Sequence, residues 1–246
     1  MNPALEILPP GSAWQPWLGV FETLRVERGR ALFVEAHWRS LQRACAALGL
    51  LRGDAVDFRA ATGALPQADG RWRWLVGADG GGARHFFQAE RLPDPRQNFA
   101  LVRSPFRVGA HNWDARFKTF SYLTHWQARR AQPPGTEALL RNERGEIASG
   151  AFTNLFWVRD DELFTPAENC GCRAGVVRGW ILQEKPDTHL VRARPAALDA
   201  ADEIFLTNSL LGLCPVTRWR ERTLAPGPLT RALRQRYRLA CQREIR

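Results

Sequence analysis

The chain has 246 residues, 45% of them hydrophobic and 24% charged, with a formal net charge of +10. That balance belongs to a soluble globular protein and argues against disorder, and the length suits one large or two small domains. No apolar run approaches the ~20 residues of a membrane span, and the opening MNPALEILPPGSAWQPW has neither the basic start nor the apolar stretch of a secretory signal, so a cytoplasmic location is expected.

Taken in chain order, residues 18–34 hold two β-rich runs around Glu27-Arg28-Gly29-Arg30, which predicts a hairpin. Leu41, Cys45 and Leu48 stand at helical spacing before Gly49, which predicts an amphipathic helix over 35–49. RWRWLV (71–76) and RHFFQA (84–89) flank Gly80-Gly81-Gly82 and read as a second hairpin, with the glycines as a turn. A proline-rich connection (91–98), a strand (99–103) and an irregular segment (104–118) follow, and the domain boundary is placed inside that segment, after residue 107. The pattern then predicts a helix over 119–131 stopped by Gln132-Pro133-Pro134-Gly135. Strands are expected at 137–142, 152–158 and 162–165, with Asp160-Asp161 as a turn, and a helix from Gly175 to about 183. Strands near 188–193 and 203–207 and a helix over 228–240 close a chain of mixed strands and helices in two parts.

Only Lys118 and Lys185 are lysines; every other basic residue is arginine. The arginines are dispersed, with no block of five or six like charges and no zinc-finger, RRM or helix-turn-helix signature, so no nucleic-acid partner is expected. A positive field equally collects a small anionic substrate or cofactor. Cys45, Cys170, Cys172, Cys214 and Cys241 are odd in number and scattered, which is no disulfide framework. Cys170-Gly171-Cys172 lacks a second pair at zinc spacing, so no metal is expected and the thiols read as free and mostly buried.

Three places carry candidate chemistry. Lys118, in RFKTFSYL, sits at the start of the predicted helix between Phe117 and Phe120. A lysine, unlike an arginine, loses its proton on desolvation and can form a Schiff base; the plainer alternative is a snorkelling surface lysine. Lys185, in QEKPD, reads as solvated. Gly175-Val176-Val177-Arg178 could offer backbone amides and a helix dipole to a phosphate, or be an ordinary entry into a helix. Thr207-Asn208-Ser209, after EIFL, serves equally as a phosphate cluster or a loop cap.

The order of GVFETLRVERGRALFVEAHWRSLQRACAALGL, RFKTFSYL, EALLRNERGEIASGAFTNLFWV, LFTPAENCGCRAGVVR and EIFLTNSLLGLCPV resembles the class IV aminotransferase family over residues 18–220. These are the pyridoxal-phosphate enzymes of fold type IV, which include branched-chain and D-amino-acid aminotransferases and 4-amino-4-deoxychorismate lyase. The resemblance implies an α+β chain with a smaller N-terminal α/β domain (1–107) and a larger C-terminal mixed-sheet pseudo-barrel domain (108–246), a pyridoxal 5′-phosphate cofactor and a homodimer. HWRSLQRACAALGL, TNLFW and the compact length lean toward the lyase branch. By the same resemblance Lys118 matches the Schiff-base lysine, and Val176 and Val177 match the residues whose amides bind the cofactor phosphate. Thr207 and Asn208 match the second phosphate-binding strand end, Arg107 an arginine near the substrate carboxylate, and Asn154 a structural asparagine.

Two positions depart from the family pattern. Ser149 stands where E-G-x-x-x-N-x-F carries the glutamate that contacts the pyridine nitrogen. Ser40 stands where E-H-x-x-R-L carries a phosphate-binding arginine; Arg39 and Arg43 are its neighbours, about 100° and 300° around the helix. Glu146 lies three residues before Ser149 and is not assumed to replace the glutamate. A carboxylate holds the pyridine nitrogen protonated, and the protonated ring is the stronger electron sink; a serine hydroxyl does this poorly. Transamination needs that sink longer than an elimination that collapses into an aromatic ring. The expectation is therefore a lyase making 4-aminobenzoate and pyruvate. An aminotransferase acting on a branched-chain or D-amino acid is the alternative, and a weakly catalytic or non-catalytic binding member of the family is the third.

Overall fold

The computed structural model describes residues 14–50, 69–79, 82–92 and 99–245. β1 (Trp14–Glu27) turns through Arg28-Gly29 into β2 (Arg30–Ala31). Both turn residues have positive φ, 51° and 72°, the two-residue geometry whose twist matches the flanking strands. α1 (Val34–Ala47) buries His37, Leu41, Ala44 and Cys45 and is followed by Gly49 at φ 66°, a left-handed stop that glycine takes without a Cβ clash. β3 (Gly70–Asp79) and β4 (Gly82–Glu90) complete an antiparallel four-stranded sheet in the order β2-β1-β3-β4. Strand alternation sorts its faces. Val20, Leu24 and Val26 of β1 and Trp72, Trp74 and Val76 of β3 pack with Leu41 and Cys45 of α1, each large side chain contributing about 1.5–3 kcal/mol by burial. Phe21, Thr23, Arg71, Arg73 and Leu75 turn the other way, toward a cleft. The glycine turn expected at residues 80–82 falls largely outside the described residues.

The second sheet is mixed and has nine strands. They are β5 (Phe99–Val108), β6 (Thr136–Asn142), β7 (Ile147–Gly150), β8 (Asn154–Arg159), β9 (Glu162–Pro166), β10 (His189–Val191), β11 (Glu203–Asn208), β12 (Gly212–Trp219) and β13 (Arg222–Thr223). The order is β10-β9-β8-β11-β12-β5-β6-β7, with β13 on β12. β5 runs parallel to both β12 and β6. Ile147 at the start of β7 donates its N–H to Ala193 O just beyond β10, at 2.7 Å, so the two ends of the sheet curl together. Leu101, Leu139, Leu155, Trp157, Leu206 and Val216 fill one face. On the other, Phe156 and Phe205 stack with centroids 5.1 Å apart beneath α4 (Val176–Glu184) and α5 (Pro228–Glu244), which add Val177, Ile181, Leu233 and Tyr237. A strand covered on both faces reads as a continuous apolar run, as LFWV does.

α2 (Trp113–Arg116) and α3 (Leu123–Arg130) lie between β5 and β6. The two sheets divide between β4 and β5, since β5 hydrogen-bonds into the second sheet as far as Val108. The segment expected to be irregular from residue 104 is strand as far as Val108; the β5–β6 register shifts between Arg103 and Arg107, a bulge of the kind that accommodates Pro105 within a strand. The helix expected from residue 119 begins at Leu123, since the residues before it are drawn into pairing with β1. β7, β12 and β13 were not anticipated; β12 carries Gly212 and Pro215 inside its apolar run. Among the described residues no helix is long and apolar enough to cross a membrane.

Candidate active site

The two sheets meet at the segment that carries Lys118. Phe21 donates its N–H to Lys118 O at 2.8 Å and Phe120 donates to Gly19 O at 2.9 Å, with Val20 and Thr119 bridged. A Cβ at residue 19 would stand 2.4 Å from the Phe120 ring, so this approach requires glycine. The stitching sets the Lys118 side chain beside β1, with Nζ 3.5 Å from Glu22 Oε2.

Glu22 shares the inward register of β1 with Val20, Leu24 and Val26 and is buried with them. The same Oε2 lies 2.9 Å from His37 Nδ1 and 3.3 Å from the Thr23 N–H. An ionised carboxylate only accepts, so His37 donates from Nδ1. Burial alone would raise the Glu22 pKa, but the Lys118 charge, the His37 hydrogen bond and charge, and the Ser40 hydrogen bond outweigh it and hold the group far below the usual carboxylate range. Lys118 is lowered from its ordinary value, first by burial; Glu22 opposes this, while Arg173 and Arg73 add to it.

The opposite wall of the cavity is built differently. Ser149, Asn154, Val176, Val177, Thr207 and Asn208 line it, and Lys118, Glu22 and Ser40 line the same space. Asn154 Nδ2 donates to Arg173 O at 2.8 Å, and its Oδ1 lies 2.3 Å from where a Cβ on Gly175 would fall. Gly175 therefore serves close approach, and Asn154 clamps the loop that leads into α4. No side chain caps that helix, so the first-turn amides of Val176 and Val177 have no intrahelical acceptor. Thr207 is 1% exposed and its Oγ1 has no partner. Asn208 Oδ1 is spent on the N–H groups of Leu210 and Leu211, at 3.0 and 2.8 Å, so this oxygen caps the turn.

Arg173 brings a guanidinium to the cavity lining. It donates to Tyr122 Oη and Asp114 O, each at 2.8 Å, and its buried Nε is unpartnered. Tyr122 stacks on His125 with centroids 4.4 Å apart. Burial and then the Arg173 charge push His125 down to about 3, so the ring is neutral, and its buried Nδ1 also lacks a partner. A buried polar atom without a partner costs free energy, and such atoms gather here. Open amides at a helix N-terminus, an unspent hydroxyl and a lysine amine fit a small phosphorylated aldehyde. Val176, Val177 and Thr207 would hold its phosphate, with Lys118 placed for the carbonyl carbon.

Lys118 also lines a wider cleft of about 810 Å³ with Phe21, Arg71, Arg73, Tyr122 and Trp126 among its walls, a size suited to a small-molecule substrate. Glu137 of β6 lines this cleft too. It accepts from the Phe152 N–H at 3.1 Å, and burial pushes it up to about 7 against its hydrogen bonds and the Arg129 charge.

Other sequence candidates lie elsewhere. Arg107 is exposed and donates to the carbonyls of Asn142 and Glu143, at 3.3 and 3.5 Å; it lines neither the cavity nor the cleft. Arg39 pairs with Glu35 and Arg43 is exposed, so neither takes the place left by Ser40. Glu146 is bound by Arg192, Arg144 and Asn142, which serves the fold rather than the cavity. Lys185 pairs with Asp187 at 3.0 Å. Among the described residues no His, Cys, Asp and Glu cluster could hold a metal, and the five cysteines form no disulfide, four of them being buried.

A model of the class IV amino-transferases matches residues 19–219, most of the chain. The chain belongs to the class IV aminotransferase family. Its relatives include the aminodeoxychorismate lyase of Bacillus subtilis, 32% identical over 130 residues that cover 50% of this chain and 44% of the lyase. A probable branched-chain-amino-acid aminotransferase of Thermotoga maritima is 30% identical over 108 residues, covering 41% of this chain and 40% of that one. The chain thus matches less than half the length of these two family members. The 4-amino-4-deoxychorismate lyase of Pseudomonas aeruginosa has the same fold, with a TM-score of 0.82 at 25% identity over 96% of each chain. The mixed two-sheet architecture is that of fold type IV.

Sequence reasoning missed Glu22, His37, Tyr122, His125 and Arg173. For Glu22 a signal existed: it is the one charged side chain in the alternating column Val20, Glu22, Leu24, Val26. The others act through contacts between distant segments, which no local pattern carries.

Proposed function

We propose that this family member is a pyridoxal-phosphate-dependent 4-amino-4-deoxychorismate lyase that forms 4-aminobenzoate and pyruvate. The observation that supports the reading is the cavity itself: Lys118 shares its lining with the unspent hydroxyl of Thr207 and the α4 N-terminus, and Ser149, which by resemblance replaces the glutamate that would favour transamination, lines it too. When bound, the cofactor supplies an electron sink for the carbon next to the substrate nitrogen. The chain supplies the rest. Val176, Val177 and Thr207 would hold the cofactor's phosphate, Arg173 would add a guanidinium to the same cavity, and the wider cleft beside Lys118 would take the substrate. Lys118 holds and moves the proton at Nζ, for which a lowered pKa suits it. The ADC-lyase relatives support this reaction; the aminotransferase relative keeps transamination as the alternative.

The proposed enzyme is a homodimer. Trp113, Leu123, Trp126 and Phe152 are large, apolar and exposed, and aromatic side chains favour interfaces. Arg107 lines neither cavity of its own chain, so a contact with the substrate carboxylate would require the cavity of a second chain. The deciding experiment supplies the purified chain and pyridoxal phosphate with aminodeoxychorismate, and separately with branched-chain and D-amino acids plus a keto acid. Formation of 4-aminobenzoate without amino transfer supports the reading; transfer without 4-aminobenzoate replaces it with the aminotransferase, and a chain with no chromophore and no turnover is a binding member.

A further inference from the structure

We propose that Glu22 is the positioning residue of Lys118: its carboxylate, delivered by the inward register of β1, holds the amine at the mouth of the cavity and sets the charge it carries. The inference deepens the proposed function, since it assigns what controls the amine that would meet the cofactor.

Glu22 is placed by elements independent of Lys118. β1 delivers it on the same face as Val20, Leu24 and Val26, and α1 fixes it through His37, itself 2% exposed, at 2.9 Å. The Thr23 N–H adds a third contact at 3.3 Å. The carboxylate is thus held by contacts that do not depend on the lysine. Lys118 reaches it because Phe21 and Phe120 stitch the lysine's backbone to β1, so side chain and counter-ion share one strand pairing. The 3.5 Å separation is longer than an ideal hydrogen bond: a close charge pair, with the amine free to turn toward a carbonyl ligand.

The groups that act on the amine come from five directions. Glu22 of β1 favours the ammonium; Arg173, from the loop before α4, and Arg73 of β3 oppose it. His37 and Ser40 of α1 touch Glu22 rather than the amine, and the His125 ring of α3 is neutral. Burial also disfavours charge on Lys118. Glu22 is thus the carboxylate standing between the lysine and a strongly depressed pKa. An amine is nucleophilic only when uncharged, so this carboxylate decides at which pH the lysine becomes reactive.

The two-lysine composition makes the test clean. The cofactor-free full chain is labelled with a trace of acetic anhydride across a pH series, and peptide mass mapping follows Lys118 and Lys185 separately. Glu22→Gln moves the Lys118 midpoint down by about one unit or more, so at a fixed lower pH the free-amine fraction rises roughly tenfold; Lys185 does not move. Glu22→Asp, with its carboxylate drawn back by one methylene, moves Lys118 the same way by less. An unmoved or raised midpoint in a Gln variant with the parent's circular dichroism overturns the inference; if that variant does not fold, an unmoved midpoint in Glu22→Asp does so. A shifted midpoint in a chain that takes up no pyridoxal phosphate leaves this inference standing and removes the proposed function. An unshifted midpoint in an active lyase does the reverse.

Discussion

The two walls of the cavity solve the problem of buried polarity in opposite ways. On the wall from the first sheet, Glu22, His37, Ser40 and Lys118 satisfy one another. On the wall from the second sheet, Thr207 Oγ1 is unpartnered and the α4 amides are uncapped. A self-satisfied cluster is stable without a ligand, whereas an open one is a standing cost until something binds. On the proposed reading, the open wall would hold the ligand and the self-satisfied wall would present the amine to it.

The hardest blow to this comparison is Lys118→Arg. The guanidinium keeps a positive charge near Glu22 but does not deprotonate, so 4-aminobenzoate formation is expected to fall by about 10³-fold or more, and borohydride reduction with cofactor no longer labels a peptide containing residue 118. Retained labelling at Lys185 with retained turnover would move the chemistry off the first wall.

Ser149→Glu tests the second wall. A carboxylate there restores a charged partner for the ring nitrogen, and transamination half-reactions are expected to speed up by one to two powers of ten, corresponding to about 1.5–3 kcal/mol. Elimination changes less. A parallel fall in both rates shows that Ser149 does not meet the ring.

Thr207→Val separates ligand from fold. The hydroxyl has no partner in the chain, so removing it is expected to weaken pyridoxal phosphate binding by roughly tenfold, about 1.4 kcal/mol, while the cofactor-free protein melts at an equal or higher temperature. Calorimetry and a binding titration read the two effects; loss of stability without loss of affinity would make Thr207 a core residue.

Glu137 shows what the Glu22 carboxylate would face without a close cation. Burial raises it from 4.5 to about 7. The folded state then binds a proton that the unfolded chain releases, so the stability from this group is full below pH ~4.5 and is lost as pH rises through about 7, on the order of 3 kcal/mol in all. Glu137→Gln is expected to flatten that slope in urea titrations at pH 5 and 7. Glu22, shifted the other way, adds stability at those pH values that would be lost only in stronger acid.

Much of the fold was legible because its local signals agree with its packing. The Arg28-Gly29 turn, the Leu41–Cys45 helical face with Gly49 after it, and the doubly covered LFWV run all follow from spacing and glycine placement. β7 and β12 were not legible, since one is four residues long and the other carries Gly212 and Pro215. Of the site, Lys118 stood out by scarcity. Val176, Val177 and Thr207 came through family resemblance, and they line the cavity. Arg173 was invisible: its place depends on Tyr122 and Asp114, 51 and 59 positions away.

The parallel pairing of β5 with β12 also fixes when the cavity can exist. β1 to β4 form their sheet from neighbouring segments, so that half can close early in synthesis. The second sheet waits for β12, more than a hundred residues after its partner β5, and long-range parallel pairing is slow. Thr207 sits on β11, which leans on β12. A nascent chain therefore has the segments of its first sheet well before β11 and β12 can pair, so completion of the cavity wall that carries Thr207 is expected to be a late step.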